Sequence, residues 1–356
     1  MEKELWKGNE AVAEAAIRAG CKLFFGYPIT PQNEIPEYLA QHLPKIGGCF
    51  LQAESEVAAI NMVYGAAGCG KRVMTSSSSP GISLKQEGIT YLCGAELPCV
   101  IVNMMRGGPG LGTIQPAQGD YYQATRGGGN GDYRHLVYAP ATIQEAADYV
   151  RMAFDVADLY RNPVMVLADG MIGQMMEAIE WHDVPKRELP EKPWATTGTH
   201  GERKPNIINS LYIDPNVCAE HNVRLAEKYR AMEENETRWE ETDTEDCEVL
   251  FVAYGTPSRI AKAAIRQLAK EGIRAGLFRP ITLWPFPGKA LKQAAMQPSC
   301  KVVVDVELSM GQMIDDVRIA AAGRWPVSHV GDSRTDFLTP DAIVEKVRQV
   351  WKEVNA

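Results

Sequence analysis

The chain has 356 residues, 45% of them apolar and 23% charged, enough for two domains with sizeable cores. Its net charge of −8 argues against general nucleic-acid binding, which rests on clustered Lys and Arg, so an anionic ligand would need a local positive group. No apolar run nears the roughly 20 residues that span a bilayer, and the polar start "MEKELWKGNE" lacks the apolar centre of an export signal, so no membrane role and a cytoplasmic location are expected.

From the N-terminus, helix and strand patterns alternate. "NEAVAEAAIRAG" sets alanines and Ile17 at helical spacing and stops at Gly20. "CKLFF" predicts a buried strand, followed by the loop "GYPITPQNEI" and a helix ending near Leu43. "ESEVAAINMVYGAAG" predicts a second apolar helix, "RVMTS" a strand, "GISLKQEGITYLCG" a helix and "PCVIVNMM" a strong strand. The glycine-rich stretches "RGGPGLGT" and "RGGGNGDYR" are too loose for a regular element; helix "TIQEAADYVRMAFDVADLY" and strand "NPVMVLAD" follow. Strands joined by helices over this length predict an α/β fold with a parallel sheet covered on both faces.

Residues 180–246 read as a charged connection with one helix. Asp214-Pro215 is a good helix start, and Val217, His221, Leu225 and Met232 can share a face of that helix, which makes His221 a packing residue. The acidic run "EENETRWEETDTED" reads as a solvated linker. A second α/β unit starts at Cys247, with strands "EVLFVAY", "IRAGLFR" and "KVVVDV" and a closing helix from Thr339-Pro340. The expected division is therefore 1–179, 180–246 and 247–356.

Two motif types carry little chemistry. The cysteines (Cys21, Cys49, Cys69, Cys93, Cys99, Cys218, Cys247 and Cys300) form no C-x-x-C pair, so no zinc knuckle or ferredoxin-type cluster is visible. "GAAGCGK" matches G-x-x-x-x-G-K, but Arg72 replaces the Ser or Thr that reaches magnesium, and a helix precedes the glycines where a strand should.

Three side chains are more informative. Glu56 has Val57, Ile60 and Val63 as helical neighbours. A carboxyl group in apolar surroundings resists ionisation and can share a proton near neutral pH. Pattern alone favours the plainer reading, a glutamate in a first helical turn with its head in solvent. Arg106 follows a buried strand, where open parallel sheets place functional sites, and glycines flank it. It suits either a bidentate grip on a carboxylate or a surface ion pair. Thr30-Pro31 has the form of a helix start, yet capping leaves the rigid Tyr27-Pro28-Ile29 approach unexplained.

Taken in order, "GYPITP", "ESEVAAI" and "MMRGGPG" resemble the alpha-type subunit of the 2-oxoacid:ferredoxin oxidoreductase family, and the resemblance covers nearly the whole chain. "LFRPITLWPFP" is similar to the transketolase-C-like domain that follows in such subunits, while "GYPITPQNEIPEY" and "TSSSSPGISL" resemble the branch acting on 3-methyl-2-oxobutanoate. The resemblance implies that 1–179 is the pyrimidine-side domain of a thiamine diphosphate enzyme and 247–356 a transketolase-C-like domain. By position, Glu56 matches the glutamate that hydrogen-bonds the cofactor's aminopyrimidine and promotes its imino tautomer. Arg106 matches the arginine holding the substrate carboxylate, Thr30 the threonine beside the oxo group, and Tyr27 and Pro28 line the cofactor. The sequence departs from the family at Ser79-Pro80, where Gly commonly precedes the proline.

No Gly-Asp-Gly start of a diphosphate–magnesium site occurs; "QGDYY", "NGDYR" and "VGDSR" all differ at the third residue. The resemblance therefore implies half an active site. A beta-type subunit would bring magnesium, the diphosphate site and an iron–sulfur cluster. Gamma-type and ferredoxin-like subunits would pass electrons to external ferredoxin, with coenzyme A accepting the acyl group. The implied reaction is oxidative decarboxylation of a 2-oxo acid, branched-chain by the resemblance, with pyruvate or 2-oxoglutarate as alternatives. A noncatalytic assembly subunit is the contrasting possibility.

Overall fold

The computed structural model describes residues 3–185, 187–332, 334 and 338–355. Strand β1 (Glu4–Lys7) leads into α1 (Gly8–Arg18), whose alanine face is fully buried. Strands and helices then alternate as β2 (Leu23–Gly26), α2 (Glu34–His42), β3 (Cys49–Gln52), α3 (Glu56–Gly68), β4 (Val73–Ser77), α4 (Ser79–Gly94) and β5 (Cys99–Met105). The glycine-rich stretch holds the short α5 (Tyr121–Arg126). After it come β6 (Leu136–Tyr138), α6 (Ile143–Tyr160), β7 (Pro163–Asp169), α7 (Gly170–Gln174) and β8 (Met176–Ile179).

Local chemistry sets several of these boundaries. Ser55 caps α3, its Oγ accepting from Ala58 N at 3.2 Å. Thr142 caps α6 by accepting from Glu145 N, and Glu145 reaches back to Ala141 N at 2.7 Å. The glycines of "GAAGCGK" end α3 ahead of β4, as expected of a helix terminus.

The first sheet has seven strands in the order β12-β6-β7-β5-β4-β2-β3. Within it β12 (Thr282–Trp284), which comes from the second half of the chain, runs antiparallel to β6, and the other pairings are parallel. The chain leaves β2 toward the edge strand β3, then crosses back to β4 and continues to β5. The strand order therefore reverses between β2 and β4, and the crevice beyond the carboxyl ends at such a point is where open α/β sheets bind ligands.

Between the sheets, α8 (Pro215–Glu236) is capped by Asp214, which accepts from Asn216 N at 2.8 Å. On the face read from the sequence His221, Leu225 and Met232 are buried, but Val217 is exposed. His221 pairs with the Gly94 carbonyl at 2.7 Å, a packing role. The acidic run differs from the expectation of a solvated linker: Trp239–Thr242 forms β9, antiparallel to β11 (Ala275–Pro280). Glu240 is drawn into the sheet by Arg279 and Lys262.

The second sheet has the order β14-β13-β10-β11-β9, with β10 (Val249–Ala253), β13 (Val302–Glu307) and β14 (Val327–Gly331) parallel to their neighbours. Helices α9 (Gly255–Lys270), α10 (Gly288–Ala295), α11 (Ile314–Ala321) and α12 (Pro340–Asn355) cover it. One apolar cluster runs through both halves, joining Tyr121 and Val137 to Tyr254, Leu283 and Met313. Polar contacts fix their registration. Gln118 donates to the Tyr254 carbonyl at 3.0 Å and accepts from Leu308 N at 3.0 Å, and fully buried Asp169 accepts from Thr256 N and Oγ1. No helix of the described residues is long and apolar enough to cross a membrane.

Candidate active site

The residues singled out from the sequence follow the carboxyl ends of parallel strands: Tyr27, Pro28 and Thr30 after β2, Glu56 after β3 and Arg106 after β5. The turn from β4 into α4, "SSSPG", lies among them in the strand order.

Thr30 and Arg106 meet directly. Arg106 Nη1 donates to the Thr30 carbonyl at 3.0 Å and Nη2 to the Leu111 carbonyl at 2.9 Å. The arginine is buried, and its Nε has no partner among the described residues. Among the described residues no acid takes the guanidinium in a direct ion pair; carbonyl dipoles hold it and leave its charge available. Thr30 lines a cleft of about 390 Å³ with Glu34, Pro116 and Gln174, while Leu111 lines a second cleft of about 700 Å³ with Ser79, Asp120, Leu308 and Gln312. The guanidinium thus lies between two clefts, with one hydrogen bond to the wall of each.

Thr30 does not begin a helix. Asn33 precedes α2, and Asn33 Nδ2 donates to Thr30 Oγ1 at 3.3 Å. The capping expectation fails because the loop runs on through Pro31, anchored by the Pro31 carbonyl, which accepts from Asn9 and Gln174 at 2.7 Å each. Gln32, fully buried, ties the loop to β4 by accepting from Ser76 Oγ. Tyr27 and Pro28 are exposed on the outer side of this loop and line neither cleft.

Glu56 stands in the first turn of α3 and is 6% exposed, so its head is not in solvent; Glu54, outside the helix, is exposed. It does not touch Thr30 or Arg106 through any hydrogen bond of the described residues. Its neighbour is the β4–α4 turn. A Cβ on Gly81 would lie 2.8 Å from Glu56 Oε1 and 2.1 Å from Ser77 Oγ. Only glycine fits here, because Ser77 and Glu56 already fill the place a side chain would take. The Ser77 and Ser78 hydroxyls beside it are buried without a hydrogen-bond partner among the described residues. Such groups are costly when unmet. An enclosed carboxyl group and orphaned hydroxyls packed against a glycine together suit a polar heteroaromatic ring.

The same turn leads to Arg106: Ser79 Oγ accepts from Arg106 N at 3.0 Å and donates to Asp120 at 2.6 Å. Asp120, also bonded by Asn103 Nδ2 at 2.9 Å, has its carboxyl pushed above the ordinary range by burial, against the opposing charge of Arg106. Sequence reasoning passed over Asp120, because only contacts distant in the chain bring it here. It also passed over Lys85, fully buried one turn beyond Gly81 on α4.

Residues 14–241 match the family described as pyruvate flavodoxin/ferredoxin oxidoreductase, thiamine diphosphate-binding, and residues 247–342 match pyruvate:ferredoxin oxidoreductase core domain II. The chain belongs to this oxidoreductase family. Within the family it is 48% identical over 350 residues to the ketoisovalerate oxidoreductase subunit VorB of Methanothermobacter thermautotrophicus, covering 98% of both chains. It is 39% identical to the 2-oxoglutarate synthase subunit KorA of Methanocaldococcus jannaschii, covering 89% of this chain and 91% of that one. Among solved structures, a 2-oxoglutarate:ferredoxin oxidoreductase from Magnetococcus marinus, with 2-oxoglutarate, coenzyme A and succinyl-CoA bound, matches with a TM-score of 0.83 at 26% identity. The match covers 98% of this chain and 65% of that longer one. A split-gene transketolase, at 15% identity and a TM-score of 0.59, shares the fold.

Proposed function

We propose that this chain is the pyrimidine-side subunit of an oxidoreductase that decarboxylates 3-methyl-2-oxobutanoate to an acyl-CoA and carbon dioxide while reducing ferredoxin. The observation that carries the reading is Glu56 enclosed against Gly81 and the orphaned Ser77 hydroxyl at the crevice where the strand order reverses. Full-length identity to VorB, higher than that to KorA, supports the branched-chain substrate.

In this reading Glu56 holds a ring nitrogen of thiamine diphosphate and shares a proton with it, while Ser77 and Ser78 supply hydroxyls beside the ring. When bound, the cofactor supplies a nucleophilic carbon and an electron sink. Arg106 holds the substrate carboxylate until it leaves as carbon dioxide; its Nε, without a partner among the described residues, and its position between the clefts suit that task. Thr30, fixed by the Arg106 bond to its carbonyl, sets its hydroxyl beside the oxo group. Tyr27 and Pro28 contact the cofactor from the exposed side of the loop. A beta-type partner brings magnesium, the diphosphate site and an iron–sulfur cluster, and gamma-type and ferredoxin-like partners complete electron transfer to ferredoxin.

The test is to co-purify the chain with its partner subunits and follow viologen reduction with 3-methyl-2-oxobutanoate, pyruvate and 2-oxoglutarate in the presence of coenzyme A. A higher kcat/KM for 3-methyl-2-oxobutanoate is expected. Preference for either other acid would reassign the substrate, and no reduction with any of them would overturn the enzymatic reading.

A further inference from the structure

The ladder between β4 and β5 ends at Ser77 and Asn103, where β4 gives way to α4. Past that rung a backbone N–H of β5 needs another acceptor on this side. For Arg106 the acceptor is the hydroxyl of Ser79, the first residue of α4, at 3.0 Å. A serine hydroxyl has one proton to donate. Ser79 Oγ has Asp120 Oδ2 at 2.6 Å, closer than the Arg106 carbonyl at 3.2 Å.

Asn103, fully buried on β5, closes the ring. Its Oδ1 accepts from Ser79 N at 3.2 Å, and its Nδ2 donates to the same Asp120 oxygen at 2.9 Å. The ring clasps the start of α4 and the end of β5 to Asp120, which immediately precedes α5. It also stands between the two parts of the candidate site. Two residues beyond Ser79, Gly81 lies against Glu56, and from the other side Arg106 reaches the Thr30 and Leu111 carbonyls. Both of those carbonyls belong to loops. The fixed end of the arginine is therefore its backbone, where Ser79 holds it. Ser79 is also where the sequence departs from the family, and a glycine there has no hydroxyl to offer either Arg106 or Asp120.

We propose that Ser79 is a positioning residue for Arg106. With Asp120 and Asn103 it fixes the backbone from which the guanidinium reaches a substrate carboxylate, and it acts on the reaction through that arginine. The proposal rests on the reading of Arg106 given above. A clamp set slightly off its mark grips the 2-oxo acid less well and leaves proton loss from the cofactor unchanged.

The test is steady-state viologen reduction by the assembled complex with 3-methyl-2-oxobutanoate, together with exchange of the cofactor's thiazolium proton. Ser79→Ala keeps the Cβ and removes the hydroxyl; Ser79→Gly removes both and serves if the first variant fails to assemble. Either should raise KM about tenfold, the effect of one lost hydrogen bond, with kcat unchanged. Thiazolium exchange should stay at the wild-type rate. Slower exchange would show a general loosening of the turn that also carries Gly81, and would overturn the proposal. Asp120→Ala should raise KM as well, and the double variant with Ser79→Ala no further than the larger single effect. Independent, multiplying effects would mean that the two residues do not act as one clasp. A wild-type KM in Ser79→Ala beside a raised KM in Arg106→Ala would overturn this proposal alone, whereas an unaltered KM in Arg106→Ala would remove the reading beneath it.

Discussion

Arg106 Nη1 and the Thr30 carbonyl oxygen lie 3.0 Å apart, a hydrogen bond between loops 76 residues distant in sequence. It fixes a cation and a hydroxyl-bearing loop beyond the ends of the two strands that flank β4. Arg106→Ala should raise KM for the 2-oxo acid about a hundredfold, the roughly 3 kcal/mol of a charge-assisted pair. Arg106→Lys keeps the charge without the planar fork and should fall between. Steady-state viologen reduction over a range of substrate concentrations decides this; an unaltered KM would assign the carboxylate to another group.

Glu56→Gln should slow exchange of the cofactor's thiazolium proton at least about a hundredfold, the range of a lost general acid–base partner. Quenched-flow exchange in deuterated buffer, read by NMR, measures it. Exchange at the wild-type rate would take Glu56 out of the mechanism.

Gly81→Ala places a methyl group in the space shared by Glu56 and Ser77. Thiamine diphosphate should bind at least about tenfold more weakly, a loss near 1.4 kcal/mol, with the circular dichroism spectrum unchanged. Fluorescence titration of the assembled complex supplies the affinity. Wild-type affinity would place the ring elsewhere.

His135 is 2% exposed, and burial lowers its pKa from 6.5 to about 4, with the Arg134 charge adding to the effect. Between those values the unfolded chain binds a proton that the folded chain does not, so this contribution to stability is lost as pH falls from about 6.5 to 4. The full loss is about 3 kcal/mol. In urea unfolding of the full chain, His135→Leu should show a correspondingly shallower decline over this window. Parallel declines would show that His135 takes up its proton without unfolding.

Long apolar runs were legible in the sequence. "PCVIVNMM" and "NPVMVLAD" name central strands because every residue of β5 and β7 is buried. β3 and β9 were not legible: they are four-residue edge strands with alternating or mostly exposed positions, so neither carries an apolar run. At the site, residue types and their place after strands pointed to Glu56 and Arg106. What local pattern lacked was reach. Thr30-Pro31 reads as a helix start, and only the Arg106 contact and the anchored Pro31 carbonyl show the loop continuing past it. Nothing in the local pattern marks Lys85 as buried; that follows from α3 packing closely at Gly81 and Gly88.

The strand β12 has a consequence for how the gene product can be divided. Its backbone is supplied by the C-terminal half but completes the N-terminal sheet, where Thr282 is fully buried beside Tyr138. A cut ahead of Cys247 would strip β6 of its outer neighbour and leave a naked edge open to strangers. The halves are neighbours in sequence and co-owners of one sheet, so a two-gene version of this subunit split ahead of Cys247 would need its second product to return β12 to the first sheet.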